Sequence, residues 1–124
     1  MRARFTFKTM IEPMTEDRIR RVGENEALYR QVNERIKALS PGTAATRGEF
    51  GVICECATLD CKTQIMILPE VYERARARSD HFIVLRGHQL DDIEMVIEDH
   101  ETFFVIEKTP AEAKRIAVEM DPRA

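Results

Sequence analysis

The chain has no tryptophan, only five glycines and five prolines, and no apolar run near the ~20 residues that a membrane span requires. A spanning helix is therefore not expected. The N-terminal stretch "MRARFTFKTMIEPM" is basic but lacks the continuous apolar segment of a secretory signal. A soluble, cytoplasmic protein is the expectation, and in that compartment structural disulfides are disfavoured. Cysteine is scarce too, and the three present cannot all pair within one chain. With 124 residues, one domain with a modest core is expected.

What charge there is falls unevenly. The net charge of −3 argues against a general nucleic-acid binder. Arg2, Arg4, Lys8, Arg18, Arg20 and Arg21 load the beginning of the chain. Between Gln89 and Glu107 stand seven acids (Asp91, Asp92, Glu94, Glu98, Asp99, Glu101 and Glu107) and no Lys or Arg. Such a surface would repel phosphate and attract a basic partner, unless these are simply the solvated positions of a sheet.

The pattern of apolar residues predicts an α+β fold. Thr15, Glu16 and Asp17 suit a helix start, Gly23 is expected to interrupt the helix, and Asn25 to cap a second stretch. There Tyr29, Val32, Ile36 and Leu39 recur at three and four residues and form an apolar stripe. "SPGTAATRG" (40–48) ends the helix, so residues 1–48 read as a helical arm with a linker and 49–124 as an α+β region, together one structural domain. Strands are predicted at 49–56, 62–68, 81–86, 93–99 and 102–108. Short helices are predicted from Pro69 to about Arg78 and from Pro110 to about Met120, the latter capped by Thr109. Short connections imply a mainly antiparallel sheet of about five strands.

All three cysteines lie within "CECATLDC" (54–61). Cys54 and Cys56 would leave the same face of a strand, with Glu55 on the other. Cys61 follows a loop long enough to return towards them. Three thiolates lack one ligand for tetrahedral zinc, and the candidates are His81, His88 and His100. His88 fits best: in "VLRGHQL" it follows a glycine at a strand end, where the backbone can turn tightly. The expected site is Cys54, Cys56, Cys61 and His88 holding Zn(2+), pinning the first hairpin to the strand near residue 81. Buried inert cysteines, a thiol redox sensor and an iron–sulfur cluster are the competing readings. Four protein ligands leave no open position, and no Ser-His-Asp set, phosphate loop or HExxH occurs, so catalysis is not expected.

"NEALYRQVNERI", "CECATLDC", "PEVYERARA", "FIVLRGH" and "FFVIEK" together resemble a group of small uncharacterised actinobacterial proteins, over about residues 24–108. In that group a CEC and a third Cys precede a Tyr-containing helix, a Gly-His and a "VVEK"-like strand. The resemblance implies that Cys54, Cys56, Cys61 and His88 act as one unit, and it supplies no activity. This chain departs from the pattern in "LRGH", where a proline would precede the Gly-His.

A non-enzymatic zinc-binding regulatory or adaptor protein is thus expected. Its partner, another protein, would meet Leu28, Tyr29, Val32 and Ile36 on the helix and the acidic positions Asp91, Asp92 and Glu94, and the same helix could join copies of the chain. The alternative is a nucleic-acid-binding regulator using the basic N-terminus with Arg74, Arg76 and Arg78. A zinc-dependent hydrolase ranks behind both.

Overall fold

Apolar residues in short runs dictate strands here, and the helices close over them. The computed structural model describes residues 16–39, 48–58 and 60–123. In chain order the elements are α1 (Glu16–Leu39), β1 (Phe50–Ile53), β2 (Gln64–Ile67), α2 (Pro69–Arg76), β3 (His81–Leu85), β4 (Glu94–Asp99), β5 (Phe103–Lys108) and α3 (Ala111–Glu119). The fold is α+β, with five antiparallel strands as the sequence predicts. They are divided between two sheets, a β1–β2 hairpin and a three-stranded sheet of order β3-β5-β4. No described helix is long and apolar enough to cross a membrane.

Alternation sets the registers. Val52 stands opposite Ile65 in the hairpin, and Phe82 opposite Ile106 in the larger sheet. Both pairs are buried, in a core that also takes in Ile67, Tyr72, Ile83, Val84 and Val105. Each large apolar side chain fully buried there is worth about 1.5–3 kcal/mol over exposure. Pro69 opens α2, as a residue with no N–H to leave unpaired can.

Three local expectations are revised. The first helix is continuous through Gly23, because the glycine serves packing and not termination. A Cβ at position 23 would lie 2.7 Å from the Ile116 side chain, so its absence lets α3 press against α1. Thr109 does not cap α3; Pro110 holds that place, with no side-chain hydrogen bond. The predicted stripe on α1 is also rotated. Tyr29 is buried and Ile36 packs partly against the core, but Val32 and Leu39 are exposed. The basic positions Arg2, Arg4 and Lys8, the expected cap Thr15 and most of the 40–48 linker lie outside the described residues.

The face that α1 buries instead includes Ile19, Val22, Glu26, Ala27, Arg30 and Asn33. Its polar members are matched to partners distant in sequence. Arg30 donates to the Ser79 and Ala117 carbonyls and lies 4.5 Å over the Phe82 ring. Lys108 Nζ bridges Glu26 at 2.9 Å and Glu94 at 2.8 Å, all three buried. Two carboxylates facing one ammonium would leave a net buried negative charge, which a low-dielectric interior disfavours. Burial pushes the Glu26 carboxyl well above its ordinary value of 4.5, and Glu94 adds to the rise while Lys108 opposes it.

A carboxyl raised in this way holds its proton in the folded chain and loses it in the unfolded one. Its stabilising effect is therefore complete below the ordinary carboxylate value and declines as pH climbs from there towards the folded value. Glu26→Gln should melt at a temperature that falls less as pH climbs above the ordinary carboxylate value than that of the unaltered protein. Parallel melting profiles for the two would contradict a protonated Glu26.

Candidate metal centre

Beyond Ile53 the ladder between β1 and β2 persists for one more bond, from Cys54 N–H to the Thr63 carbonyl at 2.9 Å. The chain then leaves its hairpin and runs beside β3. Glu55 N–H donates to the Ile83 carbonyl at 2.8 Å, and Ile83 N–H donates back to Glu55 Oε1 at 3.0 Å. Leu85 N–H, two residues on, donates to Cys54 Sγ at 3.2 Å. A carboxylate and a sulfur thus accept the N–H groups along this edge of β3. Alternation does the rest: Cys54 and Cys56 turn to one side and Glu55, fully buried, to the other, where it also accepts from Asn33 Nδ2 at 2.8 Å.

Two turns deliver the other donors. A bond from Cys61 N–H to the Thr58 carbonyl folds the loop back. After β3, His88 N–H bonds the Leu85 carbonyl at 2.9 Å, closing a turn through Gly87 at φ 93°. Among the described residues nothing lies within 4 Å of a Cβ built there, so the left-handed backbone and not crowding favours glycine.

The donor atoms of Cys54, Cys56, Cys61 and His88 lie within 4.8 Å of one another. His88 Nδ1 is 3.6 Å from both Cys54 Sγ and Cys61 Sγ. Tetrahedral zinc with bonds of about 2.3 Å to sulfur and about 2.0–2.1 Å to nitrogen requires S···N separations of about 3.6 Å. The observed spacing matches. Nδ1 is thus the ring nitrogen that faces the sulfurs and could coordinate an ion, and the ring itself is exposed. Cys54 and Cys56 are buried and Cys61 is half-buried. The Cys54 thiol donates towards Cys56, which lowers the Cys56 pKa, while the same contact and then burial raise that of Cys54. A cation replacing the shared protons would relieve both.

The other histidines have separate engagements. His81 Nε2 is 3.3 Å from Glu107 Oε1, and His100 bonds Glu98 at 2.8 Å while stacking on Phe103.

The expected partner surface is altered. Leu28 and Val32 are exposed and line a groove with Ala38 and Pro122, rimmed by Glu34 and Arg35. Tyr29 does not belong to it: it is buried, and burial together with charge on the nearby Cys56 and Cys61 raises its hydroxyl pKa. Ile36 turns partly into the core. Glu94 is withdrawn into the Lys108 triad, Asp92 lies 4.0 Å from Arg18, and Asp91 is exposed. Much of the acidic run meets cations in space, with Glu98 on Arg74, Asp99 on Arg86 and Glu107 on Lys114. These cations come from outside the run in sequence, so the charge pattern could not reveal them.

No known family model, curated protein or solved structure matches the chain. The geometry of the cluster therefore carries the functional argument.

Purified without a metal-binding tag, the His81→Ala and His100→Ala variants should retain bound metal and His88→Ala should lose most of it. Elemental analysis against protein concentration gives the comparison. Full retention by His88→Ala would remove the histidine from the shell.

Proposed function

We propose that the chain is a non-enzymatic, zinc-binding regulatory or adaptor protein that works through contacts with another protein. The observation that carries this reading is the set of three sulfurs and one imidazole nitrogen within 4.8 Å of one another, with His88 Nδ1 3.6 Å from two of the sulfurs. Soft thiolate ligands suit zinc, and four protein donors fill its shell without a place for reactive water. The carboxylate between Cys54 and Cys56, Glu55, is turned away and fully engaged by Asn33 and Ile83, so no general base stands beside the cluster from that position. A zinc held this way stabilises the seam between the two sheets.

The adaptor part of the proposal rests on the exposed apolar groove of α1. A partner helix or a second copy of the chain would supply the apolar side chains that fit it. The nucleic-acid alternative loses two of the three arginines Arg74, Arg76 and Arg78, since Arg76 is buried against Asp121 and Arg74 is bound to Glu98.

Leu28→Asp with Val32→Asp should leave zinc content and melting temperature essentially unchanged and abolish association with a partner or a second copy. Tyr29→Ala, in contrast, should lower the melting temperature, by roughly 3–5 kcal/mol of stability if it behaves as other buried aromatics do. A shift of an RNA or DNA probe at physiological salt, weakening steeply as salt rises, would replace the adaptor reading with the nucleic-acid one.

A further inference from the structure

Helix α1 reaches the ligand segment through two asparagines on one face, eight residues apart. Asn33 pairs with Ile53 much as a neighbouring strand would: its Oδ1 accepts the Ile53 N–H and its Nδ2 donates to the Ile53 carbonyl, both at 2.8 Å. The same Nδ2 donates to Glu55 Oε2 at 2.8 Å. Asn25 Nδ2 donates to the Ala57 carbonyl at 3.1 Å. The helix therefore grips the chain just before Cys54 and just after Cys56. Between these grips Glu55 bonds Asn33 with one oxygen and Ile83 N–H with the other, so the backbone that aims both sulfurs has little freedom.

On the reading of Cys54, Cys56, Cys61 and His88 as a metal centre, we propose that Asn33 and Glu55 are its positioning residues, and that metal occupancy and the seating of α1 are one linked equilibrium. Neither residue touches the cluster atoms; each acts through the backbone of the strip that presents two of the four ligands. A bound cation fixes Cys54 and Cys56, which fixes Ile53, Glu55 and Ala57 as partners for α1. A seated α1 in turn holds the sulfurs at ligand spacing. Linkage makes the two effects equal in size: the factor by which seating raises metal affinity is the factor by which metal favours seating. Outer-shell partners of metal ligands are commonly worth about 10–100-fold in affinity.

The test uses Co(II) and Zn(II) in competition with a chromophoric chelator, on the full chain and on the Asn33→Ala and Glu55→Gln variants. Amide hydrogen exchange is followed on the unaltered chain with and without metal. Affinity about 10–100-fold weaker in both variants, with an unchanged Co(II)–thiolate charge-transfer spectrum at saturation, is the expected result. Stripping the metal should speed exchange in the middle of α1 more than in α3. Wild-type affinity in the variants, or equal acceleration in α1 and α3, overturns the linkage while leaving the metal centre intact. A chain that takes up neither metal overturns the metal reading, and the linkage with it. Should Asn33→Ala fail to fold, Glu55→Gln and the exchange comparison decide.

Discussion

Along the strip Cys54–Glu55–Cys56 the two sheets meet, and side-chain atoms make part of the junction. The Ile83 and Leu85 N–H groups on that edge of β3 are accepted by a carboxylate oxygen and a sulfur. An unpaired backbone donor buried there would cost about 1–3 kcal/mol, so the chemistry of these two side chains is set by the fold as well as by any ligand. The same strip offers two of the four donor atoms of the cluster, and the β1–β2 loop and the turn after β3 bring the others to it. Geometry that satisfies the β-edge is thus also geometry that gathers ligands.

Helix α1 completes this arrangement with polar groups where an apolar stripe would be the usual solution. Glu26, Arg30 and Asn33 are all buried, and each has a partner, Lys108, two carbonyls and a Phe ring, and the Ile53–Glu55 strip respectively, although Glu26 Oε2 and Arg30 Nε make no hydrogen bond among the described residues. Such contacts are directional, so they specify the helix's rotation and position more tightly than apolar packing alone. They are also costly to break singly, because the partner left behind remains buried. The outward face of α1 keeps Leu28 and Val32 exposed, free for an external contact because the inward face does not need them.

Strand positions were legible in the sequence because burial on one face leaves a period of two, seen in Val52 and in Ile65 with Ile67. The proposed ligands were legible for a different reason. Three scarce thiols fell together, and Gly87 marked a turn ahead of one histidine. The buried face of α1 was not legible, since Glu26, Arg30 and Asn33 look like solvated residues until Lys108, Ala117 and Ile53 stand beside them. Gly23 misled for a related reason: a glycine that breaks a helix and one that admits a neighbouring side chain are alike in sequence, and only Ile116 distinguishes them. The acidic run misled too, its cations arriving from α2, the turn after β3 and α3 through the fold.

X-ray absorption at the zinc edge on the loaded protein addresses the centre most directly. Three sulfurs at about 2.3 Å and one imidazole nitrogen at about 2.0–2.1 Å are the predicted shell. A shell dominated by oxygen and nitrogen, or one with fewer than three sulfurs, would contradict a centre built from Cys54, Cys56, Cys61 and His88.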